Sequence, residues 1–122
     1  MDGRKVTGSR GEHVAAAYLE AQGVRILERN YRSRYGEIDL LGRDGKYLIA
    51  VEVKTRKTGT SGMPAEAVDY RKIVKICRTF NRYRMAHRIS EDQPARFDVM
   101  EVIPDKDGYR CHWIKNAFEF IE

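Results

Sequence analysis

The apolar residues of this chain switch between two periods, and each switch marks an element. In SRGEHVAAAYLEAQG, Val14, Tyr18 and Leu19 share one side of a helix, Ser9 stands as a cap with Glu12 three residues on, and Gly23 ends the segment. Val24 to Tyr31 is strand-like and RSRYG is a basic turn. In GEIDLLG, Glu37, Asp39 and Leu41 alternate with Ile38 and Leu40, which puts the acids on one face of a strand. RDG predicts a tight turn, so that Lys46 to Lys54 pairs antiparallel with the preceding strand, and Leu48 to Val51 is apolar on both faces. Lys54 to Pro64 has no apolar period and predicts a mobile loop. From Ala65 to Arg88, Val68, Ile73, Ile76, Cys77, Phe80 and Tyr83 return to helical spacing. ARFDVMEVIP and YRCHWIKNAF then predict two strands joined by the turn DKDG.

The order α-β-β-β-α-β-β predicts a mixed β-sheet flanked by two helices, an α/β or α+β layer architecture. Alternating βα units are absent, which disfavours a Rossmann fold. A length of 122 residues suits one domain, residues 1–122, and 42% hydrophobic with 34% charged residues is ordinary for a chain that folds alone. Cys77 and Cys111 match no metal or redox spacing and are expected as reduced core thiols, which points to the cytoplasm. His13, His87 and His112 are scattered without zinc-ligand spacing, and Trp113 and Phe118 are expected in the core. The N-terminus has no apolar signal core and no run approaches the roughly 20 residues of a membrane helix, so neither secretion nor membrane spanning is expected.

The stretch VEVKTR changes the picture, because an apolar strand ends on a charged pair. Residues two apart on a strand point the same way, about 6.5 Å apart, so Glu52 and Lys54 project together. Pairing with the preceding strand would bring Asp39 and Glu37 beside Glu52. Three crowded carboxylates need a counter-charge beyond Lys54, and oxygen ligands suit Mg²⁺ or Mn²⁺. Such an ion beside a lysine is the equipment for phosphodiester hydrolysis. The plainer alternative is the solvent end of a strand with weak surface pairs. An acid-x-Lys triplet also occurs by chance: Asp44 to Lys46 is a second one, but it falls in a turn. Glu12 likewise has two readings, since S-x-x-E before an apolar helix is a capping box.

Charge adds a partner. The net charge is +5, with a pI near 9.3. Between Arg71 and Arg88 lie seven basic residues (Arg71, Lys72, Lys75, Arg78, Arg82, Arg84 and Arg88) and no acid. Arg71, Lys75, Arg78 and Arg82 fall on one helical stripe whose mutual repulsion a polyanion would relieve. Arg56 and Lys57 could hold a flanking backbone, and Tyr31, Arg32 and Arg34 could extend the track. A solvated basic face, or one that meets a protein, is the alternative.

GSRGEHVAAAYLEAQGVRILERNYR, GEIDLL, VEVKTR, RFDVMEVI and HWIKNAF resemble, in order, the small bacterial YraN-like family, which is similar to archaeal Holliday-junction resolvases of the PD-(D/E)xK nuclease superfamily. The resemblance covers nearly the whole chain. It implies a restriction-endonuclease-like fold, Asp39, Glu52 and Glu12 as metal ligands, Lys54 as the catalytic lysine and Glu37 as an accessory carboxylate. Lys72 aligns with a family lysine. The superfamily's usual Pro before the first acid is Ile38 here, and Ala50 stands where the family often has Phe; neither change removes a functional group. The implied activity is a Mg²⁺-dependent endonuclease acting on structured or branched DNA, for which a homodimer would suit two-strand cleavage. The alternatives are a catalytically silent nucleic-acid-binding module or subunit in DNA processing and, ranked last, a protein-interaction domain.

Overall fold

The computed structural model describes residues 3–56 and 68–121, with side chains from Arg10 onward. Lys57 and most of the expected loop to Pro64 lie outside the described residues. The elements are α1 (Gly3–Ala21), β1 (Arg25–Ser33), β2 (Gly36–Asp44), β3 (Tyr47–Thr55), α2 (Tyr70–Ala86), β4 (Ala95–Asp105) and β5 (Gly108–Phe118). This is the expected order, and the mixed sheet with a helix on each side is consistent with the restriction-endonuclease-like fold.

Helix α1 begins well before Ser9, so the expected capping box is not there: Ser9 and Glu12 are both interior helical residues. Its C-terminus ends as the sequence predicts. Gly23, at φ +96°, donates to Glu20 O at 3.0 Å, and Val24 N–H donates to Leu19 O at 3.0 Å. That is a Schellman closure, and Leu19 and Val24 meet in the same core, as such closures favour. Helix α2 is shorter than the predicted span from Ala65 to Arg88. Asp69 caps it by accepting the Arg71 N–H at 2.7 Å, which sets the start that apolar spacing alone could not locate.

The sheet runs in the order β1-β2-β3-β4-β5, antiparallel throughout except for the parallel pair β3–β4 that α2 connects. One core lies under α1, where Ala15, Ala16 and Leu19 meet Leu40, Ile49, Val51, Met100 and Val102. The other lies under α2, where Ile76, Cys77, Phe80 and Tyr83 meet Ile38, Leu41, Leu48, Ala50 and Phe97. Strand β3 feeds both, which explains its unbroken apolar run. Trp113 packs, partly buried, on the first core and Phe118 on the second. Cys77 is buried, Cys111 is half-buried, and both are free thiols.

Strand β2 departs from the expected alternation. Leu41 packs with Ile38 under α2 rather than opposite to it, and Leu40 alone faces α1. The β1–β2 ladder pairs Arg29 with Leu40 and Tyr31 with Ile38, but skips Asn30 opposite Asp39. Asn30 sits at φ +53°, a left-handed conformation that asparagine tolerates better than most residues. The irregularity is therefore shared by both strands at the level of Asp39.

Strand β4 carries a fully buried carboxylate, registered beside Val51. Asp98 accepts from Arg96 Nε at 2.9 Å and from an Arg96 terminal nitrogen at 2.8 Å, from Trp113 Nε1 at 2.9 Å and from the Asn116 N–H at 2.8 Å. Arg96 also reaches Asp44 at 2.8 Å, tying β4 to the β2–β3 turn. Every Asp98 lone pair in use faces a donor, which is what makes a buried charge tolerable. Replacing it with alanine leaves Trp113 Nε1 and the Asn116 N–H without their acceptor and Arg96 with Asp44 alone, so Asp98→Ala should lower unfolding free energy by about 3–5 kcal/mol in denaturant titration. A loss under about 1 kcal/mol would show that the network is not structural.

Candidate active site

The site forms where the sheet splits. The β2–β3 ladder runs from Asp44↔Tyr47 to Leu40↔Val51 and stops there. The β1–β2 ladder, however, continues to Ser33↔Gly36, and β3–β4 continues to Thr55↔Val102. Two arms therefore diverge from Leu40 and Val51, and the next residues on each, Asp39 and Glu52, face a wedge. Strand separation leaves the Val53 N–H without a β2 carbonyl, and Asp39 Oδ2 accepts it at 2.8 Å. The sequence suggests that hairpin pairing brings the acids together; in the structure it is the end of pairing that makes room for them.

Helix α1 supplies the third side. Gly11 is buried against the end of β3, where an added Cβ would lie 2.2 Å from Thr55 Oγ1. This close approach delivers Glu12, the next residue, to the wedge. Carboxylate oxygens of Glu12, Glu37 and Asp39 lie within 4.8 Å of one another, and all three side chains are half-buried. Hard divalent cations take such oxygen sets. Glu12, placed in the helix interior, is thus free of the capping role, and Glu37 stands with Glu12 and Asp39 as well as accepting from Arg32 Nε at 2.7 Å.

Glu52 is the most buried acid of the group, and its neighbours show how the site manages its charge. Its carboxylate is paired with the Lys72 ammonium, which reaches in from the first turn of α2. It also lies close enough to Asp39 that each carboxyl favours the neutral form of the other. Burial first, and then the charge of Glu52, raise Asp39 from an ordinary 3.8 to about 8, against the opposing pull of the Val53 N–H, while Glu12 adds to the rise. Burial works against the Lys72 charge, but its bond to Glu52 prevails and lifts its pKa. Lys54 is shifted the other way, by burial and then by neighbouring Arg56. The wedge thus gathers four acids and one lysine from outside the strand pair.

Other expected residues take different posts. Arg56 turns back to pair with Glu101, and its N–H donates to Val102 O at 2.9 Å, so it does not extend along the loop. Glu101 lies beside Lys54 in the β3–β4 register and has His112 Nδ1 at 3.5 Å from its other oxygen. Tyr31 belongs to the α2 core, edge-on to Tyr83 at 5.1 Å, rather than to a surface track. Arg71, Lys72, Lys75, Arg78 and Arg82 are all exposed on α2. Sequence reasoning missed Glu101 altogether, and it placed Lys72 on nucleic acid rather than on Glu52. The only hint for Glu101 was the polar position in FDVMEV; nothing local marks Lys72, whose contact needs the helix docked.

The profile of the uncharacterised protein family UPF0102 matches residues 11–102, the span from Gly11 through the end of the β3–β4 pairing. The chain belongs to the UPF0102 family. It is 49% identical over 112 residues to a UPF0102 protein of Symbiobacterium thermophilum, covering 91% of this chain and 94% of that one. A UPF0102 protein of Syntrophus aciditrophicus is 46% identical, covering 93% and 88% of the two chains, and one of Alkaliphilus oremlandii is 44% identical, covering 93% and 98%. This is the family that the motifs resemble, and the matched span contains Glu12, Glu37, Asp39, Glu52, Lys54, Lys72 and Glu101. Among the described residues of this UPF0102 chain, no helix is long and apolar enough to cross a membrane.

The raised Asp39 pKa has a stability consequence. A carboxyl that keeps its proton to about pH 8 when folded, but loses it near pH 4 when unfolded, makes stability fall as pH rises between those values. Asparagine keeps the acceptor for Val53 and adds a donor for Glu52. In EDTA, Asp39→Asn should match the parent near pH 4 and exceed it by on the order of 2 kcal/mol at pH 8. Thermal melts across that range check this; a gain independent of pH would mean that Asp39 is ionised in the folded protein.

Proposed function

We propose that this UPF0102 protein is a metal-dependent endonuclease of the PD-(D/E)xK type, hydrolysing phosphodiester bonds in structured or branched DNA with Mg²⁺ or Mn²⁺. The observation that carries the reading is the split sheet. Glu12, Glu37 and Asp39 converge within 4.8 Å beside a buried Glu52 and a lysine two residues further along β3. An all-oxygen donor set of crowded carboxylates fits a hard cation, whose charge would relieve the burial and repulsion that raise the Asp39 pKa.

Glu12, Asp39 and Glu52 would hold the ion, with Glu37 as an accessory. A bound divalent ion polarises the scissile phosphate and lowers the pKa of a coordinated water. Lys54, desolvated at the rim, stands where its ammonium can orient the attacking water or offset charge gathering on the phosphoryl oxygens. Lys72 pairs with the buried Glu52 carboxylate and offsets its charge. The exposed face of α2 offers Arg71, Lys75, Arg78 and Arg82 to the flanking backbone, contacts that position without reading sequence. A homodimer would bring two such sites to opposing strands.

The purified protein, incubated with linear, single-stranded and four-way-junction DNA in Mg²⁺, Mn²⁺ or EDTA, should cleave only with metal. Asp39→Asn and Lys54→Ala should each reduce the rate by about 100-fold or more. Cleavage in EDTA, or cleavage indifferent to both variants, would sink the mechanism. Salt-dependent binding without cleavage would instead support a nucleic-acid-binding module, and no binding at low salt would support neither.

A further inference from the structure

The tip of the β1–β2 hairpin carries an arrangement that the acid site does not use. Arg34 and Tyr35 form its two-residue turn, between the paired Ser33 and Gly36. The Arg34 guanidinium lies 5.4 Å from the centre of the Tyr35 ring, and the Arg78 guanidinium of α2 lies 5.6 Å from it. The turn is pinned to α2: Ser33 Oγ bonds Thr79 Oγ1 at 2.8 Å and accepts the Tyr35 N–H at 3.0 Å. At Gly36 the backbone comes so near α2 that a Cβ would sit 3.1 Å from Lys75 Cβ. Tyr35 is half-buried, both guanidiniums are exposed, and among the described residues no carboxylate pairs with either.

We propose that Tyr35 is a positioning residue that presets Arg34 and Arg78 as a phosphate clamp for a nucleic-acid strand entering the acid site. The inference rests on the nucleic-acid part of the proposed function and is independent of cleavage. Two like charges gathered on one ring without a counter-ion lack an internal purpose, since each raises the cost of the other. A phosphodiester supplies the missing charge, and a guanidinium is the side chain whose fork matches phosphate oxygens. Stacking on a ring removes the rotamer freedom that a free arginine would lose on binding, so the ring contributes to affinity without touching the ligand. The position fits as well: Tyr35 is two residues from Glu37, and Arg78 continues the α2 stripe of Arg71 and Lys75. The hairpin and helix thus hold the strand on the two sides of the wedge nearest β2.

Binding of a labelled DNA duplex in EDTA, followed by fluorescence anisotropy across a salt series, tests this without any turnover. Tyr35→Leu keeps the bulk and removes the ring; it should weaken binding about fivefold at every salt concentration and leave the slope of log K against log salt unchanged. Tyr35→Phe should bind as the parent does. Arg34→Ala and Arg78→Ala should each weaken binding and flatten the slope by about 0.9, the loss of one phosphate contact. Arg78→Ala should cost less in the Tyr35→Leu background than alone, because the ring that presets it is already gone. Parent-like binding by Tyr35→Leu, or failure of Tyr35→Phe to restore it, would overturn the clamp while leaving the nucleic-acid reading intact. Absence of binding by the parent at low salt would overturn both.

Discussion

A single hydrogen bond, from the Val53 N–H to Asp39 Oδ2, marks the point on which the site depends. A strand that leaves its neighbour strands backbone donors, and a buried donor without a partner costs about 1–3 kcal/mol. Here a side chain from the departing strand takes the place of the missing carbonyl. The carboxylate is fixed at the apex of the wedge because it repairs the sheet there. Its place among the clustered carboxylates and its structural duty are thus the same placement.

The wedge then has to solve a charge problem. Four acids approach it from α1, β2 and β3, and burial penalises each charge it does not pair. Burial and the charge of Glu52 raise the Asp39 pKa, and an ammonium is sent in from α2 to pair with Glu52. Ile38 and Ala50 below the site, and Val51 and Val53 on the α1 face, set the directions of the acids without taking part in chemistry. Asp98, beside Val51 on β4, does the opposite: saturated with donors, it locks β4 and β5.

Most of the architecture was legible because each element advertises its period. The strand-like segments of β2 to β5, the turns at Gly45 and Gly108, and the helical spacing of Ile76, Cys77, Phe80 and Tyr83 are local properties, and the structure agrees with them. Where prediction slipped, a non-local term prevailed. Ser9 looked like a cap, but α1 continues through it; α2 starts at the Asp69 cap rather than at the first apolar match. Strict alternation failed at Asp39 because β2 must twist away from β3 while still pairing with β1, and Asn30 absorbs that twist.

The sequence by itself determined which residues are candidates for the site, since Glu37, Asp39, Glu52 and Lys54 are announced by acids and a lysine breaking an apolar pattern, and Glu12 by the family motif around it. It also determined the mixed sheet and its two helical covers, because period-2 and period-3.6 patterns need only neighbours in the chain. Only the tertiary structure decided how those groups meet. The split between β2 and β3, the entry of Lys72 and the turning of Arg56 to Glu101 are contacts between distant segments. No local pattern encodes them, because they arise from the balance of sheet pairing, burial and charge once the whole chain is folded.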